Sequence, residues 1–164
     1  MFDINKFINL YFQRANKLNL YIDPKFNSIY KSSQYDFHLT ASGIVIRDDS
    51  VLLIFHRYIK EWFQPGGHID DGELPHIAAQ REVLEETGWQ TSLLGDDIPV
   101  DIDIHLIPEN PLKAQPEHWH IDCAFLLNPI TQSSPSDPEV SKWFRFAEVS
   151  NERIKRVINL AEKN

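Results

Sequence analysis

The sequence predicts a layered α/β domain, with strands gathered into one sheet and helices on its faces. Three observations carry that expectation. Strand-like runs recur along the middle of the chain, at FHLTASGIVIR, VLLIFHRY, PVDIDIHLIP and HWHIDCAFLLN. Stretches with helical apolar spacing stand before, between and after them. Apolar residues make up 42% and charged residues 24% of the 164, the balance of a globular chain with enough material for a core and not of a disordered one.

Residues 3–19 carry Ile4, Phe7, Ile8, Tyr11 and Phe12 at helical spacing, so an amphipathic helix is expected there. The next stretch, YIDPKFNSIYKSSQYD, is polar, broken by Pro24, and reads as a connector. FHLTASGIVIR and VLLIFHRY are separated by Asp48, Asp49 and Ser50, a hairpin signal. EWFQPGGHID reads as a short strand running into a turn, with Pro65-Gly66 suited to a type II bend. A helix follows, with Pro75 in its first turn and Gly88 at its end, the usual asymmetry of helix termini.

WQTSLLG and PVDIDIHLIP are expected strands, the second with Val100, Ile102, Ile104 and Leu106 alternating with polar residues. HWHIDCAFLLN is another, NPITQSSPSDPE a proline-rich loop, and KWFRF a short strand. Residues 150–162 form a last helix, with Ser150 as candidate N-cap and Ile154, Val157, Ile158 and Ala161 at helical spacing. No internal repeat or boundary divides the chain. A single domain over 1–164 is therefore expected, with a helical extension and connector at 1–34 and the core at 35–164.

The net charge of −8 argues against binding extended nucleic acid, which calls for a basic surface. It leaves room for a phosphate substrate, because metal ions can reverse the local sign. Cys123 is the only cysteine, so neither an internal disulfide nor a thiolate zinc site is expected. The N-terminus MFDINKFINLYF lacks the basic start and long apolar run of a signal peptide. Nowhere do about 18 apolar residues run together, so no membrane span is expected and the expected setting is cytoplasmic.

The chemistry concentrates at REVLEETGW, residues 81–89. Glu82 stands three and four residues before Glu85 and Glu86, and each like-charged pair costs an isolated helix about 0.2–0.5 kcal/mol. On a wheel advancing about 100° per residue, Ile77, Val83 and Leu84 share one side, while the three glutamates occupy an arc on the other. Glutamates on an exposed helix are ordinarily a solvated face. Hard divalent cations offer another reading, because Mg²⁺ and Mn²⁺ prefer carboxylate oxygens and would offset the repulsion.

The residues before this helix favour the second reading. GHIDDGELPHIAAQREVLEETGW places Gly67, five residues, Glu73, seven residues, Arg81-Glu82, then Glu85-Glu86 and Gly88. This pattern resembles the Nudix box at each of its fixed positions. Trp89 is a mild departure, since an aliphatic residue is usual there. The resemblance implies an α/β/α sandwich around a mixed sheet, with the box forming a loop, a helix and a loop. It implies hydrolysis of a pyrophosphate bond in a small nucleoside diphosphate linked to another moiety, with Mg²⁺ or Mn²⁺ as cofactor. Carried over by position, Glu82 and Glu86 are the candidate metal ligands, with Glu85 assisting and the Gly67 carbonyl as a further ligand. Arg81 and Glu73 become a bracing pair, and Glu85 or Glu82 the general base. Two alternatives share the fold: a catalytically inactive nucleotide-binding sensor, and an isopentenyl diphosphate isomerase, which needs a catalytic cysteine.

Other residues invite assignments as well. His118, His120 and Asp122 in EHWHID fall on one face of a strand and are candidates for substrate or metal binding, or for lining a cleft wall. Arg57 and Tyr58 could meet a phosphate or base, or simply finish an exposed strand. Trp62 and Phe63 read as core, Glu139 as a solvated loop charge, and Trp143-Phe144 as a packing strand. The N-terminal helix could cap the sheet or build a homodimer.

Overall fold

Strand β7 (His118–Gln132) is the axis of the sheet. In the computed structural model, which describes residues 3–32, 36–57, 59–109, 114 and 116–162, β7 pairs in parallel with β1 (Phe37–Arg47). It pairs antiparallel with β5 (Trp89–Leu93) and β6 (Asp101–Ile107). β1 pairs antiparallel with β2 (Ser50–Phe55) and β4 (Gly66–His68). β2 carries β3 (Trp62–Phe63) and β8 (Val140–Arg145). The sheet is therefore mixed. The β1–β2 hairpin turns through Asp48 and Asp49, with Asp48 at φ 53, a left-handed conformation that Asp tolerates better than most residues.

Successive side chains of a strand point to opposite faces, and that alternation sorts the core into two layers. Ile121, Cys123, Phe125 and Leu127 of β7 join Ala41 and Val45 of β1 on one face. Helices α1 (Ile4–Leu18), α2 (Phe26–Tyr30) and α3 (Pro75–Thr87) cover that layer. Ala124 and Leu126 point the other way with Ile44, Val51 and Leu53, under α4 (Glu152–Ala161). The result is the α/β/α sandwich expected from the sequence.

Helix α1 is capped by Asp3, whose carboxylate accepts from the Lys6 N–H, and ends at Asn19 in a left-handed conformation. It packs Phe7, Ile8, Tyr11 and Ala15 into the core, each large apolar side chain contributing about 1.5–3 kcal/mol. Tyr11 is fully buried. Its hydroxyl donates to the Tyr21 carbonyl at 2.8 Å and accepts from the Ile102 N–H at 3.3 Å, tying α1 to β6. The N-terminal helix thus packs on one face of the domain's own sheet.

Beneath α4 lies a buried charge network. Arg153 donates to Asp101 at 2.7 Å and to Asp122 at 2.6 Å, and Arg156 reaches Asp101 at 3.1 Å. Asp122 also accepts from Thr40 at 2.8 Å and Ser42 at 2.6 Å. Burial pushes the Asp122 carboxyl up, but the Arg153 charge and these hydrogen bonds outweigh it and hold the group below its ordinary range.

Several local expectations change. Asn151, not Ser150, caps α4, its side chain accepting from the N–H groups of Arg153 and Ile154. The connector contains the short helix α2, which brings Phe26 and Ile29 into the core. β7 continues through NPITQ, because β5 offers it partners as far as the Trp89–Gln132 pair, across a register shift at Gln90 and Thr91. Pro65-Gly66 is no type II turn: Gly66 lacks the positive φ that turn requires and begins β4.

The buried side of α3 also differs. Ile77 and Leu84 are 45% and 39% exposed, while Ala78, Ala79, Val83 and Thr87 are buried. The reason is close approach to β1 at Gly43, where a Cβ would stand 2.5 Å from Val83 Cγ2 and 2.6 Å from Leu127 Cδ1. At that separation small side chains are the ones that fit. The acidic arc is thereby turned toward the sheet.

Candidate active site

Helix α3 begins with Pro75 at its first helical position and stops at Gly88, whose φ of 76 suits glycine and breaks the helix. Between these ends, Glu82 and Glu86 lean toward β4. The Glu82 carboxylate lies over Gly67 so closely that a Cβ there would be 2.6 Å from its Cδ and Oε1. Glu86 Oε2 accepts the Gly66 N–H at 3.0 Å. The bare backbone of Gly67 therefore lets Glu82 sit directly against the strand, while a Cβ at Gly66 would instead meet Ala41 and Ser42 of β1.

Arg81 braces this arrangement. It grips Glu73 with Nε at 3.0 Å and Nη2 at 2.9 Å, a bidentate pair with the directional strength such forks have. Its Nη1 donates to Glu82 at 2.8 Å and to Glu85 at 3.4 Å. Nη2 also donates to the His68 carbonyl at 2.9 Å, and the Asp70 N–H donates to Glu73 at 3.1 Å. One guanidinium thus joins the loop, the strand and two acids. Its hydrogen bonds to Glu73 hold the Glu73 carboxyl below its usual range, and those same bonds push the arginine itself further up.

The remaining acids feel the opposite pressure. Burial raises Glu82, despite its bond to Arg81. Burial pushes Glu86 up to about 8, only partly relieved by the Gly66 N–H and reinforced by Glu82, Glu139 and Asp137. Half-buried carboxylates without enough positive charge are a strained electrostatic arrangement that a cation relieves.

The loop after β7 completes the site. Its Asp137 and Glu139 N–H groups donate to the carbonyls of Glu85 and Glu86 at 2.9 and 3.0 Å, satisfying the open C-terminal turn of α3. Glu139 is thereby set beside Glu86 with its side chain only 12% exposed. The sequence reads Glu139 as a solvated loop charge, and only its position in a late loop hints otherwise. Arg57 binds both Asp137, at 3.1 Å, and Glu139, so its guanidinium is held by the acids of this loop. Tyr58 lies outside the described residues.

His118 and His120 point to the face of the sheet opposite α3, together with His38 and His68. Burial, then the neighbouring imidazoles, lowers His120 to about 3 and also depresses His68. Asp122 follows His120 on the same face but stands apart from this group, its oxygens engaged by Arg153, Thr40 and Ser42. It serves α4 docking.

Trp62 packs on Phe144 with ring centroids 4.8 Å apart, a core contact as expected. Trp89 is half-buried, its ring edge-on to Trp143 at 5.9 Å, with Arg47 stacked 4.1 Å over Trp143. The unusual residue at the end of the box thus packs between β5 and β8.

A mixed-sheet α/β/α sandwich bearing a braced acidic helix defines a class before any comparison. A family model described as NUDIX domain matches residues 36–161, and the chain belongs to that family. A hydrolase of the NUDIX family from Clostridium perfringens superposes with a TM-score of 0.59 at 25% identity, over 74% of this chain and 92% of that one. A protein called an ADP-ribose pyrophosphatase from Streptococcus suis shares the fold, with a TM-score of 0.54 and 16% identity, over 76% of this chain and 91% of that one.

Among curated relatives, a probable DHNTP pyrophosphohydrolase of Lactococcus lactis subsp. cremoris is 39% identical over 92 residues, which is 56% of this chain and 54% of the relative. An RNA pyrophosphohydrolase of Rickettsia canadensis is 30% identical over 112 residues, 64% of this chain and 68% of the relative. The chain thus spans about half the length of the Lactococcus relative. No described helix is long and apolar enough to cross a membrane.

Proposed function

We propose that this protein is a Mg²⁺- or Mn²⁺-dependent pyrophosphohydrolase, cleaving a phosphoanhydride bond in a small nucleoside diphosphate derivative in the cytoplasm. The observation that carries the reading is the pair Glu82 and Glu86, held half-buried against Gly67 and Gly66, where burial raises both carboxyls.

The residues fit such an ion. Glu82 and Glu86 offer hard oxygens, the Glu82 carboxylate lies directly over Gly67, and the Gly67 carbonyl would be the further ligand. When bound there, a divalent ion neutralises the diphosphate, orients it and raises the acidity of nearby water. The chain's own residues then divide the work. Arg81 and Glu73 keep the acids in register, as supporting residues around metal ligands do. Glu85, more exposed than Glu82, accepts the proton of the attacking water, with Glu82 as the alternative base. The water oxygen bonds to phosphorus, the anhydride P–O bond breaks, and the leaving phosphate carries away the electron pair.

The alternatives fit less well. An inactive nucleotide sensor has no need of the complete acid set and its Arg81 brace. An isomerase needs a reactive thiol, whereas Cys123 is fully buried in β7 and burial raises it well above the usual range. The named relatives support phosphoanhydride chemistry, and the acidic chain favours small nucleotides over long RNA.

The test is release of phosphate or nucleotide from a panel of nucleoside triphosphates, nucleotide sugars, dinucleoside polyphosphates and 5′-triphosphorylated RNA, with and without Mg²⁺. Metal-dependent turnover of a small nucleotide supports the reading. Binding without turnover across the panel points to the sensor, and turnover confined to RNA ends replaces the proposed substrate class.

A further inference from the structure

The geometry points to a second metal site, one for a transition-metal ion such as Zn²⁺, formed by His38, His68, His118 and His120 on the face of the sheet opposite the acidic helix. It goes beyond the proposed hydrolysis and does not depend on it.

Three neighbouring strands supply the ligands. His38 stands on β1, His68 on β4, and His118 and His120 on β7. One nitrogen from each imidazole can be chosen so that all four lie within 4.8 Å of one another. A tetrahedral ion with Zn–N bonds of about 2.0–2.1 Å requires its ligand nitrogens about 3.4 Å apart. His118 Nε2 and His120 Nε2 are already 3.1 Å apart. His38 and His68 are exposed and can swing to close the remaining gap.

A second feature prepares the site. His118 Nδ1 lies 2.9 Å from the Pro116 carbonyl, so its N–H donates there and its Nε2 lone pair is turned into the cluster. Ligating histidines characteristically orient themselves in this way, with the second ring nitrogen donating to a carbonyl or carboxylate.

The chemistry of the two sites differs. Imidazole suits Zn, Ni, Cu and Fe, whereas Mg²⁺ prefers oxygen. Among the described residues no carboxylate joins the four, and Asp122 is committed to Arg153. A cavity of about 1000 Å³ lined by His38, His68 and Glu73 gives an ion entry. The ion would pin the end of β4 to β1 and β7. Gly67 is the residue before His68, and the His68 carbonyl is itself held by Arg81, so the clip would firm the strand on which the acidic site rests.

The experiment uses full-length protein without a polyhistidine tag. Wild type, the double variant His38→Ala/His68→Ala, and Glu82→Gln/Glu86→Gln are each loaded with Zn²⁺, dialysed against buffer with excess Mg²⁺, and analysed for zinc by mass spectrometry. Wild type and the glutamate variant should each retain about one equivalent, and the histidine variant under about a tenth, as expected for one closed four-ligand site. In a parallel loading, Co²⁺ should give visible bands of tetrahedral coordination in wild type and not in the histidine variant. Because His38 and His68 are exposed, the variant should match wild type in metal-free circular dichroism. Zinc retention under a tenth of an equivalent by wild type, or equal retention by the histidine variant, would overturn the assignment.

Discussion

Gly67→Ala perturbs the geometry of the acidic site without changing its charges. The added Cβ would stand 2.6 Å from the Glu82 carboxylate, whereas heavy atoms come to rest near 3.5 Å, so the carboxylate must withdraw by about 1 Å. Arg81 Nη1 holds Glu82 at 2.8 Å and must follow or let go. Displacement of a reacting or ligating group by 1 Å costs about 100-fold in rate, equivalent to ~2.7 kcal/mol of transition-state stabilisation. The fold should scarcely notice. Gly67 lies outside the left-handed region, so alanine adopts its backbone without strain. Loss of unfolded-chain freedom favours the variant by about 0.4–1 kcal/mol. The expected result is kcat/KM reduced about 100-fold on the substrate found in the panel, weaker Mn²⁺ binding by titration, and a urea midpoint close to wild type. A variant with kcat/KM within about threefold of wild type and unaltered Mn²⁺ affinity would refute the reasoning, because the close approach of Glu82 to Gly67 would then have no function.

Three further predictions follow from the same geometry. Burial raises Glu86 in the folded protein to about 8, so its stability contribution is fully present below the unfolded value of 4.5 and is lost as pH rises toward 8. Glu86→Gln should therefore be inactive yet melt at least as high as wild type at pH 8 without metal, and a clear drop in that Tm would contradict the electrostatic account. Arg81→Lys replaces a bidentate fork with a single ammonium. It should lower Mg²⁺-supported activity about 10- to 100-fold with little change in stability, and full activity would show that Glu73 and Glu82 need no such brace. Arg153→Met leaves Asp101 and Asp122 buried without their main cation and should cost about 3–5 kcal/mol in urea denaturation. A loss below about 1 kcal/mol would mean that the two acids are readily protonated or rehydrated.

The acidic helix was legible because its chemistry lies in one contiguous run. Glu73, Arg81, Glu82, Glu85 and Glu86 sit in a single loop and helix; the structure gathers Glu73, Glu82 and Glu85 around Arg81 and sets Glu86 against the Gly66 N–H. The strands were legible where period-two alternation was clean, as in β6. What escaped depended on distant partners. Ile77 and Leu84 look like a buried face on an isolated wheel, but Gly43 admits Val83 so closely to the sheet that the buried side is filled by Val83, Ala78 and Ala79. Glu139 looks like any loop charge until its N–H is seen to cap the Glu86 carbonyl. His118, His120 and Asp122 share one strand face, yet Asp122 belongs to Arg153, some thirty residues later, and the histidines belong to His38 and His68, far earlier in the chain. No local pattern encodes those meetings.

The account stands on Glu82 and Glu86 as the seat of a divalent ion poised against a phosphoanhydride, and a crystal soaked in Mn²⁺ with a non-hydrolysable nucleotide tests it most directly. The expected anomalous map has a peak touching both carboxylates and a phosphate oxygen of the nucleotide. Manganese found elsewhere, with Glu82 and Glu86 bare beside an ordered nucleotide, would contradict it.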